Sequence, residues 1–190
     1  MSLSKTMSQV CNGPLYLSDF LQKGNIDDTY RNSRVHLPGL ELESYSGYIT
    51  VDNIDNRNLF FWFFPSTKVP PHQAPLVVYL NGGPGNSSLI GLFEEVGPLK
   101  VDEYGQVSKR EITWTDQFSM IFIDSPVGVG FSYCDPGKDV KTNSVVADDL
   151  CNFLIQFLQL FPEYQIVMSI LAEFRTLENM YQHSQTRFTI

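Results

Sequence analysis

A chain of 190 residues that is 43% hydrophobic and 13% aromatic carries enough apolar mass for one packed domain, or for part of a larger one. Its formal net charge of −8, with no Lys/Arg cluster, argues against a nucleic-acid or anionic-membrane partner. Cys11, Cys134 and Cys151 stand in no zinc-ligand spacing, and no run of about 18 apolar residues provides a membrane span.

Met1 to Val10 has no apolar core of the signal-peptide kind, and residues 1–14 are expected to be a disordered leader. A short helix-like patch lies near Tyr16 to Gln22. Tyr45 to Val51 and Asn58 to Phe64 read as two strands joined by the turn-forming Asp52-Asn53-Ile54-Asp55-Asn56-Arg57, which makes an antiparallel hairpin. The second strand is apolar from Leu59 to Phe64, so cover on both faces is expected. Leu76 to Leu80 and Met120 to Asp124 are short apolar runs of the parallel-sheet type. Between them, Ser87 to Val96 reads as a short serine-capped helix. Val146, Leu150, Phe153, Leu154, Phe157 and Phe161 recur at helical spacing, with Asp149, Asn152, Gln156 and Gln159 on the polar side. Asp148 and Asp149 favour the amino end of that helix, and Pro162 closes it. A hairpin followed by strand–helix alternation predicts an α/β protein with a mixed sheet that begins with the antiparallel hairpin.

The glycine-rich turn Asn81-Gly82-Gly83-Pro84-Gly85-Asn86-Ser87-Ser88 is where chemistry concentrates, because glycines allow close approach and expose backbone N–H groups to an anion. One reading is a dinucleotide loop, Gly83-x-Gly85-x-x-Ser88, with Asp102 near the ribose spacing. Pro84 weakens it by deleting a donor from the cradle. The other is an oxyanion hole of the α/β-hydrolase type, in which an early Gly-Gly loop donates one N–H. A tight strand–helix junction without chemistry is the third.

The surrounding residues carry a resemblance. Asn81-Gly82-Gly83-Pro84-Gly85-x-Ser87-Ser88 followed by Gly91-Leu92-Phe93, Glu95 and Gly97-Pro98, then Asp124-Ser125-Pro126-Val127-Gly128-Val129-Gly130-Phe131-Ser132-Tyr133, and finally Phe161-Pro162-Glu163-Tyr164, resemble blocks of the serine carboxypeptidases. Leu37-Pro38-Gly39-Leu40 is most similar to the vitellogenic and lysosomal members. The resemblance runs from Leu15 to Gln165 and implies residues 15–165 as the amino-terminal part of an α/β-hydrolase domain, an incomplete α/β-hydrolase fold.

It further implies a serine-type release of the carboxy-terminal residue from peptides, with no cofactor or metal. Gly83 would supply the oxyanion N–H, while Asn81, Gly82 and Glu95 would hold the terminal carboxylate of the peptide substrate. A close pair of carboxylates must share a proton, which favours acidic pH. A full-length parent is expected to be a homodimer in a secretory or lysosomal compartment, though no signal segment is visible here. Asn86 stands where many members have cysteine, and Tyr79 where many have tryptophan, a change expected only to retune packing.

The pattern breaks after Tyr164, where members run into a strand and a Gly-Glu-Ser-Tyr elbow. No Gly-x-Ser-x-Gly occurs in the 190 residues, and neither a triad Asp nor a triad His is recognised. Ser132 lies in Gly130-Phe131-Ser132-Tyr133-Cys134 ahead of a turn and is read as structural, while His36, His72 and His183 are read as surface residues. Residues 166–190 are expected to be a divergent helical tail. The chain is thus expected to be inactive alone, as a truncated form or a peptide-binding or assembly fragment. Met120 to Asp124 is expected to lie as an exposed apolar edge.

Overall fold

The computed structural model describes residues 13–83 and 85–165, together with the backbone of 168–169. Helices α1 (Leu17–Gln22) and α2 (Ile26–Ser33) lead into a two-residue strand β1 (Arg34–Val35) and the hairpin β2 (Ser44–Asp52) and β3 (Arg57–Phe64). Then follow β4 (Leu76–Tyr79), a π-helical turn (Gly91–Glu95), the small hairpin β5 (Leu99–Val101) and β6 (Val107–Lys109), and β7 (Ser119–Ile123). Short 3-10 turns at Trp114–Asp116 and Pro162–Tyr164, helix α3 (Asn143–Leu160) and a two-residue strand β8 (Met168–Ser169) complete the described elements.

The main sheet has the order β1-β2-β3-β7-β4-β8. Pairing is antiparallel from β1 through β7 and parallel between β7, β4 and β8, so the sheet is mixed as its sequence pattern predicts. The β2–β3 turn is shaped by Asp52, whose Oδ1 accepts the Ile54 and Asp55 N–H groups, each at 2.8 Å. These bonds satisfy donors that the turn would otherwise leave to solvent.

On one face α3 lays Phe153, Leu154, Phe157 and Leu160 against Leu59, Phe61 and Phe63 of β3. Phe61 meets Phe153 edge-on at 5.6 Å between centroids, and Phe63 meets Phe157 at 5.2 Å. Each such buried ring stabilises by roughly 2–3 kcal/mol relative to exposure. The other face holds a smaller core of Phe64, Val77, Tyr79, Leu92, Leu99, Met120 and Phe122.

Several expectations are corrected. Met120 to Asp124 is no edge: β7 lies between β3 and β4, and all five of its residues are buried. Cover of β3 is unequal, since Phe60 and Trp62 stay half-buried while Leu59, Phe61 and Phe63 are enclosed. Helix α3 starts earlier than its acidic pair suggests, because the Thr142 side chain caps it by accepting the Val145 N–H. Asp149 is turned inward instead of lying on the solvent side, and is 3% exposed. The segment from Ser87 becomes a π-helical turn at Gly91–Glu95, with the Ser87 Oγ accepting the Leu89 N–H at 3.2 Å. Residues 1–12 of the expected leader and most of the helical tail fall outside the described residues; Gly13 and Pro14 are exposed, and Met168–Ser169 form a strand and not a helix.

Candidate functional site

Strand β4 delivers the chain into the glycine loop, and two serines fasten that loop to β7. The Asn81 N–H donates to Ser88 Oγ at 3.1 Å, and Ser88 Oγ donates to the Ile123 carbonyl at 2.5 Å. Asn81 bridges the loop internally: its Nδ2 donates to the Ser87 carbonyl at 3.2 Å, and its Oδ1 accepts the Gly82 N–H at 2.9 Å.

Asp124, immediately after β7, is the hub. It is 0% exposed, and its Oδ1 accepts Ser87 Oγ at 2.7 Å and the Ser88 N–H at 2.9 Å. Its Oδ2 accepts the Phe131 N–H at 2.9 Å, so one carboxylate joins β7, the glycine loop and the Ser125–Tyr133 segment. Gly130 makes this possible: a Cβ there would lie 2.0 Å from Asp124 Oδ2. The sequence resemblance includes Asp124 in a block and implies no role for it. The available signal was a carboxylate closing a wholly apolar strand, a position where a buried acid must find donors.

Gly83 is exposed at the outer end of this anchored loop with φ +148°, in the region open to glycine, and a Cβ there would come 3.0 Å from the Gly85 nitrogen. Glu95 comes from the π-helical turn, which Arg110 secures by donating Nη2 to the Phe93 carbonyl at 2.6 Å and Nε to the Gly97 carbonyl at 3.0 Å. Glu95 Oε2 accepts the Tyr79 hydroxyl at 2.5 Å. Tyr79 therefore does more than retune packing. Asn81 and Gly82 are brought together directly, whereas Glu95 meets the loop's parent strand through Tyr79.

The remaining candidates resolve on geometry. Ser132 is 3% exposed; its Oγ donates to the Asp124 carbonyl at 2.5 Å and accepts the Phe60 N–H at 2.8 Å, which makes it a structural tie. His36 and His72 are exposed, and His183 lies outside the described residues. Asp102 closes the β5–β6 turn by accepting the Tyr104 and Gln106 N–H groups at 2.9 and 2.8 Å. An acid occupied in an exposed hairpin turn is not placed at the end of a parallel strand to meet a ribose, so the dinucleotide reading loses its second element. Among the described residues no group of three or more His, Cys, Asp or Glu is arranged to hold a metal ion.

A family profile described as serine carboxypeptidase matches residues 36–172. The chain belongs to the serine carboxypeptidase family. A mouse relative (Mus musculus) named probable serine carboxypeptidase CPVL is 48% identical over 80% of this chain and 32% of its own length. Vitellogenic carboxypeptidase from Aedes aegypti is 46% identical over 78% of this chain, again 32% of the relative. Among solved structures, Kex1(delta)p, a prohormone-processing carboxypeptidase from Saccharomyces cerevisiae, superposes with a TM-score of 0.70 at 26% identity, covering 85% of this chain and 40% of that one. The serine carboxypeptidase fold is therefore shared, and the chain spans about a third of the length of the curated relatives it matches.

Proposed function

We propose that the glycine loop and Glu95 are the substrate-binding half of a serine carboxypeptidase centre, built to receive the carboxyl end of a peptide. The observation that carries the reading is Gly83, exposed in a left-handed conformation on a loop that Asp124 and Ser88 fix from below. A donor held rigidly before the charge develops stabilises an oxyanion without reorganisation. In this reading the Gly83 N–H faces the tetrahedral oxyanion. Asn81 and the Gly82 N–H hold the terminal carboxylate, with Gly82 exchanging the Asn81 Oδ1 for the ligand oxygen. Glu95 then sits beside a second carboxylate, the two share one proton, and binding strengthens as pH falls.

The 190-residue sequence contains no Gly-x-Ser-x-Gly elbow, so on its own it is proposed to bind and not to cleave. Loss of a serine nucleophile lowers kcat by about 10⁶, so peptide hydrolysis by this polypeptide is expected at background. The binding half is tested by titrating the ¹⁵N-labelled chain with N-acetylphenylalanine and with its amide. Selective movement of the Gly82 and Gly83 amide signals by the acid is the expected result. Equal movement by the amide, or none by either, would overturn carboxylate recognition.

A further inference from the structure

A cavity of about 380 Å³ opens where α1, the end of β2 and α3 meet, and it shares no residue with the glycine loop. Its base lies along the outer edge of β2. Strand β1 pairs with that edge only at Ser44 and Tyr45, so the outward backbone groups further along need other partners. The Leu15 carbonyl accepts the Tyr48 N–H at 2.8 Å, and beyond it side chains take over. Ser18 Oγ accepts the Thr50 N–H at 2.9 Å, and Gln156 Nε2 donates to the Thr50 carbonyl at 2.9 Å. Asn152 Nδ2 donates to the Val51 carbonyl at 3.3 Å, and Ser18 Oγ donates to Gln156 Oε1 at 2.5 Å. Ser18 is 4% exposed, so this polar base is buried and already ordered by its own bonds.

Around the base stand the exposed carboxamides of Gln22, Asn53 and Gln159, each bringing both donors and an acceptor. Leu21 and Ile155 add apolar wall, and Ile155 is 58% exposed. Among the described residues no Asp, Glu, Lys, Arg or His lines the cavity. That composition selects the ligand. A charged group would meet no counter-charge, and an apolar one would strip water from the amides without replacing its hydrogen bonds. An added peptide strand would find the Thr50 N–H and carbonyl already taken, so strand addition has no edge to extend. A sugar hydroxyl both donates and accepts, as a carboxamide does, and the ring's C–H face matches Ile155. The volume is that of a small-molecule site. We propose that this cavity binds one pyranose unit of a neutral saccharide, with Asn53, Asn152 and Gln159 on its hydroxyls and Ile155 against its C–H face.

The test titrates the full ¹⁵N-labelled chain with methyl glucoside, methyl mannoside and N-acetylglucosamine, and with glycerol as a polyol that has no ring. Side-chain amide signals of Asn53, Asn152 and Gln159 report on the cavity, and the Gly82 and Gly83 backbone signals report on the glycine loop. At least one pyranoside is expected to move the cavity signals to saturation with millimolar affinity, while the loop signals stay in place and glycerol produces no saturation. Gln159→Ala is expected to weaken that binding about fivefold. Ile155→Glu, which sets a charge against the ring face, is expected to abolish it. Both substitutions fall on exposed positions of α3, so the amide spectrum away from the cavity is expected to stay that of the wild type and to separate lost binding from lost fold. Absence of saturation with every pyranoside overturns the proposal, as does glycerol binding equally well. Movement of the loop signals in place of the cavity signals, or wild-type affinity in both variants, overturns it too.

Discussion

Asp124 and Asp149 are both buried carboxylates, 0% and 3% exposed, and the chain satisfies them by opposite means. Asp124 takes only neutral donors: Ser87 Oγ and two backbone N–H groups, drawn from two different loops. Asp149 takes a guanidinium, with Arg57 Nε at 3.0 Å from one oxygen and Nη2 at 3.1 Å from the other. Burial pushes the Asp149 carboxyl above its ordinary range even though Arg57 pulls it down, so desolvation outweighs the pair's attraction. The difference is one of purpose. Arg57 and Asp149 join the hairpin to α3, a joint that an apolar contact of the same volume can replace. Asp124 dictates the path of the backbone at the glycine loop, and no apolar side chain can accept those N–H groups.

The sharpest way to break this contrast is at Arg57. Arg57→Met leaves Asp149 buried without its counter-charge and is expected to cost about 3 kcal/mol in chemical denaturation. Adding Asp149→Leu is expected to return most of that loss. A double variant no more stable than the single one would show that the ion pair is as irreplaceable as Asp124. At Asp124 the expectation is smaller in stability and larger in function. Asp124→Asn replaces one acceptor by an NH₂ group that faces a donor, costs about 2 kcal/mol, and disturbs the Gly82 and Gly83 amide signals. Native-like loop signals in that variant would remove Asp124 from control of the site. Ser132→Ala is expected to cost about 1 kcal/mol, since it strands the half-buried Phe60 N–H, and to leave acid-over-amide binding unchanged. A change in ligand selectivity in that variant would contradict its purely structural assignment.

The same contrast marks what was legible in the sequence. The strands around Leu76–Tyr79 and Ser119–Ile123 and the apolar stripe of α3 are local patterns, and they fold as read. Asp149 was not legible as a buried residue, because its partner Arg57 lies 92 positions away and helical periodicity sees only neighbours. Asn152 and Gln156 likewise reach the Val51 and Thr50 carbonyls of β2, although spacing alone places them on the polar side. Helix α2 is only eight residues long and the strands of the hairpin β5–β6 three residues each, too short for a local period to announce them. In the proposed site, Asn81, Gly82, Gly83 and Glu95 are named from their motif alone. The bonds that organise them, from Tyr79 and Asp124, connect residues that only the folded sheet brings together.

The smallest expected effect lies around the same Arg57. Asp52 accepts the Asp55 N–H and stands near Arg57 at 3.1 Å, and these donors hold its carboxyl below the ordinary range. Its folded value is thus below its unfolded value. The stability it contributes is complete at neutral pH and is lost as pH falls through the ordinary carboxylate range and below. Asp149, raised in the fold, works in the other direction: its contribution grows as pH drops through the window just above that range. The Asp52 carboxylate is one-quarter exposed (25%), so solvent screening limits its share to less than about 1 kcal/mol. Unfolding free energy measured against pH is expected to fall less steeply on the acid side in Asp52→Asn than in the wild-type chain. Equal slopes would mean that the turn's hydrogen bonds to Asp52 survive its protonation.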